Sequence, residues 1–142
     1  MGYLGRCACL VLVLLPLCGA PARAEDRVVY HFDDTLLQAT RGLRAIRNHL
    51  DLAPDTKIRV VGHADGIDFL LEGARDEKND IDYAALVSDL KSRGVVFEVC
   101  EITMERRGMN RDQFQLEAEF TPSGVVRLTE LQSREGYAYI KP

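Results

Sequence analysis

The sequence predicts a single α/β domain, a three-layer α/β/α sandwich around a mainly parallel sheet of about five strands. Two observations predict this fold class. Short runs of β-branched and aromatic residues alternate along the chain with segments in which apolar residues recur at helical spacing, so strands alternate with amphipathic helices. Strands joined through helices form right-handed parallel crossovers, which place helices on both faces of the sheet. The pattern leaves the order of the strands open.

The first 24 residues have the composition of a secretory signal. Arg6 supplies a positive charge, residues 7–17 form a nearly unbroken apolar run, and residues 22–24 form an A-x-A cleavage site. The run is shorter than the roughly 20 apolar residues of a transmembrane helix. We therefore predict a cleaved signal over 1–24 and a periplasmic or secreted domain over 25–142, with no stable membrane insertion after cleavage.

Each predicted element in the first half of the domain has a recognisable boundary. Residues 27–32 are β-branched and aromatic and predict the first strand, and Asp33-Asp34 offers an N-cap for the helix that follows. Residues 57–61 predict the second strand, which we expect to end in a glycine-flanked loop at 62–66. A short apolar helix at 67–71 and a charged loop at 75–80 come next. The apolar stripe of the first helix comprises Leu36, Ala39, Leu43, Ile46 and Leu50.

The second half repeats the alternation of helices and strands. A helix with apolar positions over 83–90 ends before Gly94, a residue suited to the left-handed conformation after a helix. Residues 95–99 predict the third strand, which Cys100 closes. The remaining predicted elements are a short helix at 101–107, a weaker strand at 116–120, a helix bearing Val125, Leu128 and Leu131, and a final strand at 137–140.

The charge of the chain excludes one class of partner. The formal net charge is −4, and the predicted signal contains Arg6 and Arg23 but no acidic residue, so the domain itself is more acidic still. Nucleic-acid-binding domains present a basic face. We therefore expect no nucleic-acid partner.

Cysteine usage points to one residue. Three of the four cysteines lie in the predicted signal, so the domain keeps only Cys100 and cannot form an internal disulfide. A single cysteine in an exported chain indicates an intermolecular pair or a free reactive thiol. The other interpretation is a buried cysteine that serves as a small hydrophobic residue.

The candidate reactive groups gather at one edge of the predicted sheet. In open parallel sheets, ligands bind outside the carboxyl ends of the strands. Cys100 also precedes a helix, whose N-terminal amides and dipole favour an anion and lower the pKa of a thiol. Arg106 and Arg107 add positive charge nearby, whereas Glu98 opposes it. The residues expected at this edge are His31, Asp33, His63, Asp65, Cys100, Thr121 and Ser123.

The three histidines suit different roles. His31 alternates with aromatic residues inside a strand and is best interpreted as a core or hydrogen-bonding histidine, whereas His63 lies in the glycine-flanked segment. The chain has no C-x-x-C or H-x-x-x-H pair, so we predict no metal site and no cofactor. A Cys–His pair for acyl transfer requires the imidazole within hydrogen-bond reach of Cys100.

Several segments resemble the DsrE/DsrF-like family. The segment Gly94-Val95-Val96-Phe97-Glu98-Val99-Cys100, with Arg107-Gly108 downstream, resembles the cysteine region of that family. Further similar segments are residues 43–50, 58–63 and 131–142, so the resemblance spans essentially the whole predicted domain. It implies a DsrE-like α/β fold and assembly into homotrimers or homohexamers. In sulfur-relay members the cysteine that matches Cys100 carries sulfur as a persulfide, which implies sulfur donor and acceptor partners.

These observations support three hypotheses. The first is an extracytoplasmic sulfur-handling protein in which Cys100 accepts sulfane sulfur as a persulfide, with His63, Asp33, Asp65, Arg106, Arg107 and Ser123 lining or supporting the pocket. The second is a non-catalytic oligomeric module that binds a small anionic or nucleotide-like ligand at the same edge. The third is a Cys–His acyl-transfer enzyme. Whether the protein is an enzyme stays open at this point.

Overall fold

The computed structural model describes residues 1–2 and 25–142 of the chain. The predicted signal at 1–24 lies outside the described residues except for its first two, so the cleaved signal and the export that it implies stay predictions. Within the described ranges, no helix is both long and apolar enough to span a bilayer.

The core of the domain is a five-stranded parallel sheet with the order β6-β5-β2-β1-β7. A separate two-stranded antiparallel hairpin follows the second of these strands. The predicted fold class is therefore confirmed, with the hairpin as an addition. The strands are β1 (Arg27–Asp34), β2 (Lys57–Asp65), the hairpin strands β3 (Arg75–Asp76) and β4 (Ile81–Asp82), β5 (Val96–Cys100), β6 (Ala118–Thr121) and β7 (Ala138–Ile140).

Within residues 25–142, four α-helices connect and flank the strands: α1 (Thr35–Leu52), α2 (Tyr83–Ser92), α3 (Glu101–Arg106) and α4 (Gly124–Ser133). The predicted N-cap is confirmed, because the Asp34 carboxylate accepts a hydrogen bond from the Leu37 amide at 3.0 Å. Gly94 has φ of +90° just beyond α2, as the predicted left-handed residue after a helix requires.

The two faces of the sheet are packed very differently. Alternate strand residues such as Val28 and Val60 pack with α1 and α2 in one large apolar cluster. The opposite face has a core of only four buried residues, Val29 and Val61 from the sheet and Leu128 and Leu131 from α4. Polar side chains occupy much of the rest of this second face, and the candidate site lies there.

The first helix buries a stripe shifted from the predicted one. Leu36 is 96% exposed, whereas Thr35 is buried beside the predicted Ala39 and Leu43. Thr35 takes the inward position because its hydroxyl donates to the Asp65 carbonyl oxygen at 2.7 Å and accepts from the Phe69 amide. The inclusion of Leu36 in the stripe was therefore wrong. Val125 was misplaced in the same way at the start of α4 and is 61% exposed.

Two predicted loops contain strand structure. The charged segment 75–80 belongs largely to the β3–β4 hairpin. The glycine-flanked segment 62–66 mostly continues β2, and its glycines serve close backbone packing. A Cβ atom at Gly66 would lie 2.2 Å from the Phe32 carbonyl oxygen, and one at Gly62 would lie 2.7 Å from the Gly66 carbonyl oxygen. His63 therefore has a fixed position in a strand rather than in a free loop.

Candidate thiol site

A row of side chains crosses the carboxyl ends of the central strands on the α4 face. Gly62 pairs with Val99 in the parallel ladder, so His63 and Cys100 follow side by side at the ends of β2 and β5. Cys100 pairs in turn with the buried Thr121 of β6. The sheet thus brings the predicted cysteine and the predicted histidine together.

Gly124 closes this site from the α4 side. A Cβ atom at Gly124 would lie 3.2 Å from Cβ of His63 and 3.3 Å from Cβ of Cys100, so the glycine is wedged against both residues. Any larger residue at this position would require His63 and Cys100 to move by a few tenths of an ångström. Cys100 is only 5% exposed, so its side chain is largely enclosed by the protein and does not lie in an open pocket.

The surroundings of Cys100 favour its anionic form. Cys100 is the last residue of β5 and the N-cap residue of α3. Burial raises the pKa of its thiol, but the nearby Gly124 amide, the Thr103 hydroxyl and amide, and the Ile102 amide favour the thiolate more strongly, so that the pKa is lowered. The sulfur accepts no capping hydrogen bond from the first turn of α3, and the Ile102 amide donates to the Pro122 carbonyl oxygen at 3.3 Å. The donors come from the starts of two helices, α3 and α4. Together they suit a thiolate better than a neutral thiol.

Thr103 is held in place for this role by the end of β2. Its hydroxyl oxygen accepts a hydrogen bond from the Ala64 amide at 3.1 Å, which leaves the hydroxyl hydrogen free to point at the sulfur. Ala64 has φ of +50°, an unusual conformation for a residue with a side chain. The Ala64 backbone at the end of β2 thus orients the Thr103 hydroxyl as a donor for the Cys100 thiol.

We expect Thr103→Val to slow the reaction of Cys100 with iodoacetamide by about tenfold at neutral pH. Losing one hydrogen bond to a charged group costs roughly 1.5 kcal/mol or more, which corresponds to about one pKa unit. The valine variant therefore raises the pKa of the thiol and reduces the thiolate fraction. Peptide-resolved mass spectrometry of alkylated Cys100 measures the rate.

Thr129→Val is the matched control, because the Thr129 hydroxyl bonds only the Val125 carbonyl oxygen on the exposed side of α4. Equal rates for wild type, control and Thr103→Val would contradict the role assigned to the Thr103 hydroxyl.

A buried ion cluster below Cys100 neutralises Glu98. Glu98 is 6% exposed and accepts from Arg59 at 2.5 Å and from Arg127 at 3.2 Å. Arg127 also contacts Glu135 at 2.6 Å. Two guanidinium groups thus balance Glu98, and its carboxylate is not among the causes that shift the thiol pKa. The predicted opposition of Glu98 to the thiolate is therefore offset within the protein.

Two histidines and a tyrosine form a hydrogen-bonded chain beside Cys100. Nε2 of His63 lies 2.7 Å from Nε2 of His31, and Nδ1 of His31 lies 2.6 Å from the Tyr139 hydroxyl. The pKa of His31 is lowered to about 4, mainly by burial and then by His63. The prediction that His31 is a hydrogen-bonding histidine agrees with these contacts. In the part of the chain that the structure describes, His63 bonds His31 rather than Cys100, an arrangement that does not favour the Cys–His acyl-transfer hypothesis.

The two arginines predicted to support the site, Arg106 and Arg107, differ in their contacts. Arg107 donates to Asp68 at 2.7 Å and lies 3.9 Å from Asp65, so acidic residues neutralise it. Arg106 is exposed and makes no hydrogen bond or ion pair among the described residues. Neither arginine is among the groups that shift the pKa of Cys100.

The remaining predicted site residues, Asp33 and Ser123, mainly stabilise the structure at this edge of the sheet. Asp33 accepts from Lys141 at 2.6 Å and from Gln38 at 2.8 Å, and the Lys141 contact is the main reason that its pKa is lowered. Ser123 is the N-cap of α4 and accepts from the Val126 amide at 3.4 Å, so it helps to fix Gly124. No three side chains from His, Cys, Asp or Glu are arranged to hold a metal ion within residues 25–142.

Sequence reasoning missed three residues at this edge of the sheet, two beside the thiol and one beside His31. Thr103, Gly124 and Tyr139 were absent from the predicted site. Gly124 had a usable signal, because it follows the Ser123 N-cap at the carboxyl end of β6. Tyr139 had none, because its contact with His31 depends on β7 pairing next to β1.

The fold and the site define a class: parallel α/β sandwiches that hold one cysteine between two helix starts at the carboxyl end of a central strand. The chain belongs to the DsrE/DsrF-like family, whose model matches residues 18–142. Membership suggests a sulfur-relay-like role.

The solved structures similar to the chain include the following two. The protein of unknown function MTH1491 from Methanobacterium thermoautotrophicum is 32% identical, with a TM-score of 0.67 over 83% of this chain and 100% of that one. The YchN protein from E. coli shares the fold at 14% identity, with a TM-score of 0.66 over 83% of this chain and 99% of that one. No curated protein matches the chain.

Proposed function

We propose that this protein is an extracytoplasmic sulfur carrier in which Cys100 accepts sulfane sulfur and holds it as a persulfide. One observation carries the proposal: Cys100 lies at the end of β5 beside the starts of α3 and α4, where the neighbouring amides and the Thr103 hydroxyl lower the pKa of its thiol despite burial. The thiolate is the form of cysteine that attacks sulfur. The predicted signal at 1–24 motivates the extracytoplasmic location.

The loading step transfers one sulfur atom. The Cys100 thiolate attacks the sulfane sulfur of a donor such as thiosulfate, the sulfur–sulfur bond of the donor breaks, and sulfite leaves with the bonding electron pair. Cys100 then carries a persulfide anion. The amides of Ile102, Thr103 and Gly124 that favour the thiolate also suit this second anion, because both carry negative charge on sulfur.

Enclosure of the thiol supports a carrier rather than an open hydrolytic enzyme. Cys100 is 5% exposed, and the first turns of α3 and α4 carry the exposed apolar side chains of Ile102, Val125 and Val126. An enclosed persulfide is protected from oxidation, which threatens a free thiol in an exported protein. The proposal includes a homo-oligomer, trimeric or hexameric by family resemblance, and protein partners that donate or accept sulfur.

Mass spectrometry tests the proposal directly. The protein is incubated with thiosulfate or polysulfide, and Cys100-containing peptides are examined for the added mass of one sulfur atom that is removed by a reducing agent. We expect this adduct on Cys100. Recovery of Cys100 without added sulfur from every donor would contradict the proposal.

A second candidate function rests on the same donors. The amides of Ile102, Thr103 and Gly124 that favour the anionic form of Cys100 would also favour another small anion at the same place. In that case the protein would be the non-catalytic binding module of the second hypothesis. Replacing Cys100 with serine distinguishes the two candidate functions.

A further inference from the structure

Arg127 connects α4 to the strand that bears the thiol. Its Nε donates to both carboxylate oxygens of Glu98, at 3.2 and 3.3 Å. The side chains of Arg127 and Glu98 are only 17% and 8% exposed, so solvent and salt screen their attraction weakly. Within residues 25–142, no other side-chain hydrogen bond or ion pair joins α4 to β5. The polar attachment of α4 to β5 therefore depends on one arginine.

This ion pair and the thiol contact lie one step apart along the same two elements. Glu98 and Cys100 are two residues apart in β5, so their side chains point to the same face of the sheet. Gly124 and Arg127 are three residues apart in α4, so they lie on the same side of the helix. The first turn of α4 thus meets β5 at two successive levels, Arg127 with Glu98 and Gly124 with Cys100.

The other contacts at the start of α4 are made with different elements. Leu128 and Leu131 pack against β1 and β2, and the buried apolar cluster to which they belong includes no residue of β5. The turn before α4 is attached to α3, because the Ile102 amide donates to the Pro122 carbonyl oxygen at 3.3 Å. The distance between α4 and β5 is therefore set mainly by the Arg127–Glu98 pair.

We propose that Arg127 is a positioning residue for the thiol: through its bond to Glu98 it holds the start of α4 against β5 and so keeps the Gly124 amide beside Cys100. The proposal rests on Cys100 being the working sulfur of the proposed carrier. The Gly124 amide favours the thiolate and so helps to lower the pKa of Cys100. Arg127 acts through position, since its own charge is not among the causes of that shift.

The other charged groups on the elements around the thiol have partners of their own. At the end of β2, Asp65 lies 3.9 Å from Arg107. On α3, Glu101 pairs with Arg111. His63 of β2 is bonded to a histidine of β1. Substitution of Arg127 leaves these contacts in place, so it changes only the position of α4 and the charge of the Glu98 cluster.

Arg127→Met tests the proposal, because methionine keeps a long unbranched side chain and removes the guanidinium group. We expect the midpoint of the pH dependence of Cys100 alkylation by iodoacetamide to rise, and the rate at neutral pH to fall roughly threefold or more. The midpoint reports the ionisation of the thiol, whereas easier access after a loosening of α4 would raise the rate at every pH. Peptide-resolved mass spectrometry measures the rates, and circular dichroism checks the fold.

Two further variants of arginines on this side of the protein serve as comparisons. Arg127→Lys keeps a cation that can reach Glu98, so it should restore most of the wild-type midpoint. Arg134→Met is the matched control, because Arg134 follows the same helix, is 75% exposed in its side chain and pairs only with Glu130 at 3.4 Å. Its midpoint should equal that of the wild type.

Glu98→Leu separates positioning from a simple charge effect. This variant leaves the positive charges of Arg59 and Arg127 without their carboxylate, so a charge effect alone would lower the pKa of the thiol. Loss of the attachment of α4 raises it instead, and we expect the higher midpoint. A lower midpoint in Glu98→Leu, or an unchanged midpoint in folded Arg127→Met, would overturn the proposal. None of these measurements uses a sulfur donor, so a failure of sulfur loading and a failure of positioning are distinguishable.

Discussion

Replacing Cys100 with serine is expected to abolish sulfur loading completely while leaving the domain folded. Serine is close in size to cysteine, and the position tolerates a polar atom because amide and hydroxyl donors already face it. The hydroxyl does not ionise at neutral pH and cannot form a persulfide. Incubation with thiosulfate followed by peptide mass spectrometry measures the loss, and circular dichroism checks the fold.

The same variant separates the two candidate functions. If the protein is a sulfur carrier, Cys100→Ser loses sulfur loading. If it is an anion-binding module, the variant still binds its ligand because the amides of Ile102, Thr103 and Gly124 remain. Binding of inorganic phosphate or sulfate to wild type and to Cys100→Ser, measured by calorimetry, makes this comparison. Loading that persists in Cys100→Ser would contradict the carrier proposal, because no other cysteine lies in residues 25–142.

We expect Glu98→Ala to lower the free energy of unfolding by about 3 kcal/mol, as removal of one partner from a buried ion pair does. The alanine leaves Arg59 and Arg127 without their shared carboxylate, and the side chains of these arginines are only 26% and 17% exposed. Chemical denaturation monitored by circular dichroism measures the change.

Glu119→Ala is the matched control. Glu119 also forms an ion pair from the sheet, with Lys91 at 2.7 Å, but the side chains of this pair are 52% and 34% exposed. Such surface pairs contribute about 0–1 kcal/mol. If the two substitutions lowered the free energy of unfolding equally, the buried Glu98 cluster would contribute no more to stability than an exposed ion pair does.

The alternation of strands and helices was readable because each element carries its own local signal. The run at 95–99 is β-branched and aromatic apart from Glu98, and Asp34 and Gly94 have the conformational preferences that begin and end helices. Because the carboxyl ends of parallel strands lie at the same edge of a sheet, the strand assignments also predicted that Cys100 and His63 share that edge.

The contacts that define the site depend on pairings that local sequence does not encode. Tyr139 reaches His31 because β7 lies beside β1, although the two residues are far apart in the chain. Thr103 faces the sulfur because Ala64 adopts a left-handed backbone, which the sequence pattern for β2 gave no reason to expect. Leu36 was misassigned because Thr35 has hydrogen bonds that compensate its burial.

The most direct test of the account is the pH dependence of Cys100 alkylation in the wild-type protein, followed at the level of the Cys100 peptide. A thiol that is reachable and surrounded by donors should react with a midpoint clearly below the ordinary cysteine value of about 8.5. A Cys100 that resists the reagent at every pH in the folded protein, or that titrates at or above that value, would contradict the sulfur chemistry assigned to this site.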